Sequence, residues 1–390
     1  MKVLLYIYLF IIPFYPAISS FKIEQYSIIT LLNLIILVIS IYLFMLKGRA
    51  TLVEIILFAS IILSVIISLI EGWSLDKCLT NILFYIIPIF IYTMIAKVRI
   101  SVEAFSNIML VSLCVSSVLS ILALNGILSK RSNYYINIYY VDGAAGIIGI
   151  LLCLFRVLSK KKYSITSTIL LGCTGFIVIL LGQSRGRILT TIILVVMMIF
   201  SFLFLNKDNN TKLIKRLGLL FALVIIAGII LYAVFPSISM YVDNIIFRLE
   251  SLGMDDVNVS SRQSESALYY EMFRDNLLFG KGWGVLNNPG YLTQSGVEYR
   301  AHNMYFGLLG VGGLLFCVPY YLYFGVLIKN RIKVIIHQKD EENTLGFISL
   351  VGILLLSLAS AGFAKLSGIL FMSLFYITMI KDSDKQKNNG

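Results

Sequence analysis

The sequence predicts an all-α, polytopic integral membrane protein with about twelve transmembrane helices and one large extracytoplasmic loop. Three observations predict it. The 390 residues are 59% hydrophobic and only 13% charged, about half the charged share of an average soluble domain, and the mean hydropathy is +0.91. The apolar residues gather in runs near the length of about 20 residues that crosses a bilayer as a helix. The basic residues gather in alternate gaps between those runs, as they do when one face of a membrane retains them.

The runs lie near residues 3–19, 27–46, 51–70, 78–96, 104–125, 141–158, 165–182, 188–205, 217–235, 303–328, 344–362 and 364–380. The first is read as an uncleaved helix and not a signal peptide, because its basic leader is Lys2 alone and Pro13 and Pro16 sit at its end. If the twelve runs alternate, Lys2, Lys47/Arg49, Lys97/Arg99, Lys160–Lys162, Lys207/Lys212/Lys215/Arg216, Lys329/Arg331/Lys333 and Lys381/Lys385/Lys387 all fall on one side. That side is the cytoplasm and holds both termini. The whole chain, 1–390, is then a single membrane domain of the cytoplasmic (inner) membrane. Residues 236–302 form a large loop between the ninth and tenth helices, facing outward, with eight acids against five bases.

The net charge of +12 does not indicate nucleic acid, because it is divided among short clusters and forms no basic module. Cys78, Cys114, Cys153, Cys173 and Cys317 all lie in or beside apolar runs without CxxC spacing, so they read as small buried hydrophobes. With His302 and His337 the only histidines, no His/Cys metal cluster is expected.

Within the outer loop, Ile238, Tyr241, Val242, Ile245, Ile246, Leu249 and Leu252 recur at helical spacing, as in a surface or packing helix. Gly253 and Asp255–Asp256 break it. A second helix is expected from Ser260, whose spacing to Gln263 is that of a capping box. Arg262 falls in its first turn, where a cation opposes the helix dipole; it is either an anion contact or a solvated arginine. Gly280, Gly282 and Gly284 alternate through a turn. The turn follows a helix and not a strand, which excludes a dinucleotide fingerprint. It presents Trp283, either to a sugar ring or, more simply, to the packing of the loop. The loop closes on Tyr299-Arg300-Ala301-His302-Asn303. His302, alone among histidines on the outer side, has a pKa suited to accepting a proton near neutrality; a helix-capping or interfacial role fits its position equally.

Ser184-Arg185-Gly186-Arg187 stands between two apolar runs with almost no spare loop. Two arginines at the outer boundary either anchor by snorkelling or hold phosphate, whose oxygens guanidinium groups bond bidentately; anchoring would place them on the cytoplasmic side, which favours phosphate. Lys365, in a tight outer turn, is either an anchor or a third phosphate contact. Glu54 and Arg156 read as snorkelling charges. The tyrosine-rich 130–140 segment reads as an interfacial belt.

Taken in order, these features resemble the O-antigen ligase/polymerase superfamily, the Wzy and WaaL proteins. The features are Ser184-Arg185-Gly186 after an apolar helix, Ser261-Arg262 at a helix start, Asn276–Gly284, His302-Asn303-Met304-Tyr305, and Gly310 to Gly313 in the next helix. The resemblance covers about residues 165–330; Leu277 stands where the family commonly has proline. It implies a GT-C-like, metal-independent glycosyltransferase without a cofactor. The donor and acceptor would be oligosaccharides on undecaprenyl pyrophosphate, surrounded by membrane lipids, with a polysaccharide chain-length regulator as a family partner. It further implies that Arg185 and Arg262 bind the pyrophosphate, with Arg187 a lesser neighbour. His302 would activate the acceptor hydroxyl and Asn303 orient it, with Arg300, Trp283 and Lys365 as secondary candidates. The reading is an O-antigen or capsular repeat-unit polymerase. Its alternatives are a ligase to the lipid A core and, in another class, a lipid-linked oligosaccharide flippase. A flippase is disfavoured because the charges cluster at helix ends and not along a central path.

Overall fold

The computed structural model describes residues 1–15, 22–23, 26–46, 50–124, 142–181, 184–205, 257–285, 303–338, 340–359 and 367–388, with isolated positions between 206 and 256. Twelve α-helices lie among them. In chain order they are α1 (Lys2–Ile11, extended by a 3-10 turn Ile12–Phe14), α2 (Ile28–Leu46), α3 (Leu52–Ile70), α4 (Leu75–Val98), α5 (Val102–Leu124) and α6 (Gly143–Leu158). They continue as α7 (Ile165–Leu181), α8 (Arg185–Leu205), α9 (Val257–Asp275), α10 (Met304–Gln338), α11 (Glu341–Ala359) and α12 (Ser367–Asn388). A two-residue antiparallel pair, β1 (Lys22–Ile23) with β2 (Tyr26–Ser27), precedes α2.

Six helices, α3, α4, α5, α8, α10 and α11, are long and apolar enough to cross a membrane, and α1, α2, α6, α7 and α12 are shorter apolar helices. The expected run at 217–235 lies outside the described residues, isolated positions apart, as do the amphipathic stretch 238–252 and the 130–140 segment.

Burial sorts these helices into a centre and a periphery. In α4, 83% of the most apolar stretch is buried, against 22% in α8. Centrally, α4 buries every residue from Asn81 to Ile95 except Phe84, and α12 buries Ile369 through Ile377. The inverse holds outside. Leu189, Ile192, Val196, Phe200 and Phe204 of α8 are exposed and apolar at helical spacing, while Leu194, Met198 and Phe202 turn inward. A soluble helix would place charge on that outer face; an apolar one fits lipid. With its set of apolar helices, the chain is an integral membrane protein.

Small residues let α6 and α7 approach closely. A Cβ on Gly146 would come 2.5 Å from the Gly175 carbonyl oxygen, so the backbones themselves meet, as small residues permit in membrane bundles.

The feature that positions the loop is a break in α10 at Gly313 (φ 60, ψ −167). In an unbroken helix the Leu314 and Leu315 N–H groups would donate to the Gly310 and Val311 carbonyls. Here a turn following α9 is threaded between them. Lys281 N donates to Gly310 O (2.9 Å) and Gly282 N to Val311 O (3.0 Å), while Leu314 N donates to Leu277 O and Leu315 N to Leu278 O (both 2.9 Å). Two helical bonds are exchanged for four, so the Gly310 and Val311 carbonyls and the Leu314 and Leu315 N–H groups are all satisfied. Gly280 (φ 67) is required there, because its Cβ would lie 2.5 Å from the Val311 oxygen.

Five sequence expectations are corrected. Helix α9 includes Val257, so Ser260 lies inside the helix and not at its start. Arg262 is its sixth residue, beyond the first turn where the dipole acts. Arg185, Gly186 and Arg187 form the first turn of α8 and not a connecting turn, because Ser184 begins the helical bonding, its carbonyl accepting from Arg187 N (3.0 Å) and Ile188 N (3.1 Å). Arg156 does not snorkel. It is buried, donates to Ser167 Oγ (2.9 Å) and Asn107 Oδ1 (2.7 Å), and lies 5.3 Å from the Tyr163 ring. Glu54 instead closes a capping box with Thr51 at the start of α3.

Candidate functional site

Of the residues singled out by the sequence, the described ones lie at the starts of α8 and α10, on α9 and in the inserted turn. Asp142 caps α6: its Oδ1 accepts from Ala144 N (3.1 Å), and its own N–H donates to Pro13 O (2.8 Å). A carboxylate suits that position, since the first N–H groups of a helix lack internal partners and carry the positive dipole end. Arg187, third residue of α8, reaches across so that its Nη2 lies 3.2 Å from Asp142 Oδ1. Two helix starts thus meet through an ion pair whose acid is 2% and whose base is 17% exposed. Gly143 makes room for the arginine, since a Cβ there would lie 2.8 Å from Nη1.

This arrangement changes the standing of Arg187. Its charge is already matched by a buried carboxylate, so it is first a bridge between α6 and α8. Arg185, at the first position of α8, stands at the same helix start, where backbone N–H groups and the helix dipole favour an anion. Asp142 is the functional neighbour that the sequence reading missed. Its signal was present: an Asp-Gly pair immediately before an apolar run is an N-cap pattern.

Asn303 caps α10. Its Oδ1 accepts from Tyr305 N (3.0 Å) and Phe306 N (3.4 Å), and its carbonyl accepts from Gly307 N (3.0 Å). The side-chain oxygen expected to orient an acceptor is therefore engaged with the helix. His302, Arg300 and Lys365 lie outside the described residues. Arg262 is on α9, which packs along α10, and α10 packs on α11, which in turn packs on α8. The helices bearing Arg185 and Arg262 are thus joined through α10 and α11.

Trp283 has the opposite placement from a sugar platform. It is fully buried. Its indole Nε1 donates to Ser64 Oγ (2.6 Å), its backbone N–H donates to Ser68 Oγ (3.0 Å), and its carbonyl accepts from Asn81 Nδ2 (2.7 Å). The ring packs between Tyr85 and Phe316, with centroids 5.4 and 4.9 Å away. Neither face is open to a substrate. The indole instead locks the turn onto α3, α4 and α10, because a buried polar aromatic is stable only when its N–H finds a partner. Trp73 covers the turn from outside, donating from Nε1 to Lys281 O (2.8 Å). On α9, Tyr269 and Met272 are buried against α10, and burial pushes the Tyr269 phenol well above its ordinary pKa, so it stays a neutral packing group.

The geometry therefore comprises a rim of helix starts with one internally neutralised arginine, a second arginine at a helix N-terminus, and a loop helix clamped rigidly beside the start of α10. A helix N-terminus bearing an arginine suits an anionic group.

Residues 167–321 match the family model described as O-antigen ligase. The matched span contains most of α7, all of α8 and α9, the inserted turn, the break at Gly313 and the first half of α10. The match is consistent with the O-antigen polymerase/ligase superfamily. No curated protein matches the chain.

Proposed function

Proceeding from an O-antigen ligase-type domain in an integral membrane protein, we propose that the chain polymerises undecaprenyl-pyrophosphate-linked oligosaccharide repeat units into O-antigen or capsular polysaccharide. The reaction takes place at the outer face of the cytoplasmic membrane. Function of the broad O-antigen ligase/polymerase type rests on the match over residues 167–321, and nothing supports a flippase. The observation that carries the site is the convergence of the α6 and α8 starts at Asp142 and Arg187, which leaves Arg185 at a helix N-terminus.

In this reading Arg185 and Arg262 hold the donor pyrophosphate, and Arg187 is a positioning residue that fixes the start of α8. The acceptor sugar hydroxyl attacks the anomeric carbon, the bond from that carbon to the pyrophosphate oxygen breaks, and His302 takes the hydroxyl proton. Undecaprenyl pyrophosphate leaves. Stabilisation of the developing charge on the leaving oxygens is the largest contribution, and the base adds about 10²–10⁴-fold. The reaction as proposed uses no metal. Asn303 acts by fixing the start of α10 directly after His302. A chain-length regulator is the expected partner, and both termini are cytoplasmic.

A ligase that transfers finished glycan to the lipid A core is the second reading, favoured by the description of the matching family itself. The chain's richness in Ile, Tyr and Asn favours polymerase, as it fits an AT-rich polysaccharide locus. One experiment separates them: a gel profile of surface glycan from cells lacking the chain, complemented with wild type. Lipid A-core capped by a single repeat, without a ladder, is the polymerase result. Uncapped core, with long chains accumulating on the lipid carrier, is the ligase result. An unchanged ladder would remove both.

A further inference from the structure

A groove of about 420 Å³ runs between α1 and α5, lined by Tyr6, Ile7 and Phe10 on one side and Asn107, Ile108 and Val111 on the other. It lies toward the start of α1, away from Pro13, whose carbonyl accepts from Asp142 at the rim of helix starts. We propose that this groove binds an anionic phospholipid of the leaflet at the α1 start. The phosphate accepts from the Asn107 amide, with the buried Arg156 charge behind it, and an acyl chain follows the apolar walls.

Two observations point to the phosphate. Arg156 is 5% exposed, and its hydrogen-bond acceptors are both neutral, Ser167 Oγ (2.9 Å) and Asn107 Oδ1 (2.7 Å). Among the described residues no carboxylate comes within ion-pair distance of it, and its Nε has no hydrogen-bond partner. A charge among membrane helices is costly and marks a site. The last turn of α6, which carries Arg156, offsets only about half a charge through its dipole. The second observation is Asn107, exposed on the groove. A guanidinium only donates, so the amide must turn its oxygen to Arg156, and its two Nδ2 hydrogens are left over. Among the described residues they have no acceptor. Hydrocarbon supplies none; a phosphate oxygen does.

The order of groups along the groove is that of a phospholipid. Ser112 Oγ donates to Phe10 O (2.6 Å), which sets a common level for α1 and α5. From that level Asn107 lies about 8 Å and Lys2 about 12 Å toward the helix starts, at a rise of about 1.5 Å per residue. Lys2 is exposed at this polar end, its Nζ 5.7 Å from the centroid of the Tyr6 ring. Ile7 and Val111 lie deeper, apolar and 47% and 54% exposed, as walls for an acyl chain. Glu103, one turn before Asn107, is an acid at the same end. It is exposed, so solvent and salt screen it, whereas the buried Arg156 charge is screened far less. Two cations then stand against one screened acid, which favours an anionic headgroup over a zwitterion. The site is separate from the glycan chemistry proposed for the other rim.

The test uses purified full-length protein in detergent, titrated with phosphatidylglycerol, phosphatidylethanolamine or phosphatidylcholine of identical acyl chains and read by native mass spectrometry and thermal melting. Phosphatidylglycerol is expected to be retained about tenfold over the other two, the ratio of one charge-assisted hydrogen bond. Asn107→Asp keeps an acceptor for Arg156 in the same shape but neutralises its charge and removes the amide donors. It should fold normally and lose the preference for phosphatidylglycerol. Val111→Trp keeps every charge and fills the groove, so it should lose the tightly held lipid; this separates the groove from diffuse attraction to a basic chain. Equal retention of the three lipids by wild type, an unchanged preference in Asn107→Asp, or wild-type retention by Val111→Trp overturns the proposal. A melting shift with soluble glycerol phosphate equal to that with the lipid overturns the membrane source of the ligand.

Discussion

Arg187 lies 3.2 Å from Asp142, joining the first turn of α8 to the cap of α6 through a carboxylate that is only 2% exposed. The pair assigns a structural task to an arginine that the sequence reading had set aside for phosphate, and it separates the expected behaviour of two neighbouring guanidinium groups.

Replacing Arg187 by alanine strands the Asp142 carboxylate among buried groups. The expected loss is about 3 kcal/mol, as for one broken half of a buried ion pair. Thermal melting in detergent should show it, together with reduced abundance in membranes. The double variant Asp142→Asn with Arg187→Gln removes both charges and should recover most of that stability. If the double variant melts no higher than Arg187→Ala, the ion pair is not what holds α6 to α8.

Arg185→Ala should behave differently. Its expected outcome is near-wild-type abundance with loss of the glycan ladder, because an anion-binding role is felt only when the donor is present. Arg185→Lys should restore little, since an ammonium lacks the bidentate fork. Full ladder formation by a well-expressed Arg185→Ala would remove this residue from the site.

His302→Ala is expected to abolish the ladder at normal abundance, with a residual rate lower by about 10²–10⁴-fold in a purified assay. An intact ladder would leave the arginines alone to carry the chemistry.

Trp283→Phe keeps an aromatic body but deletes the donor to Ser64 Oγ. A buried acceptor left without its partner costs about 1–3 kcal/mol. The prediction is a lower melting temperature with no change in which glycan is made. A change in glycan structure without loss of stability would show that the indole contacts substrate after all.

Gly280→Ala tests the inserted turn. The new Cβ meets the Val311 oxygen at 2.5 Å with φ at +67. Left-handed strain of about 1–3 kcal/mol adds to that overlap. Much reduced accumulation in membranes is expected; accumulation at the wild-type level would mean that the turn and α10 are not interlocked as described.

The sequence by itself determined the helical character of this protein, because apolar runs of spanning length with few charges leave the backbone no other way to satisfy its hydrogen bonds in lipid. Helix limits in α2, α3 and α7 fell within a residue of the apolar runs for the same reason. It also exposed the alternating glycines of the turn, since only a turn explains Gly280 and Gly282 at that spacing. Tertiary structure alone decided what those features do. The partner of Arg187 is 45 positions away at Asp142, and the partners of Trp283 are Ser64 and Ser68 on α3, separations at which no local pattern carries information. The break at Gly313 is invisible to hydropathy, because its lost helical bonds are replaced by a segment that precedes α10 by a long stretch of chain. Periodicity reports which face of an element avoids water; which distant residue meets that face is set by packing, and packing gave Arg187 a carboxylate partner and decided Trp283, open between a sugar ring and the loop's own packing, in favour of packing.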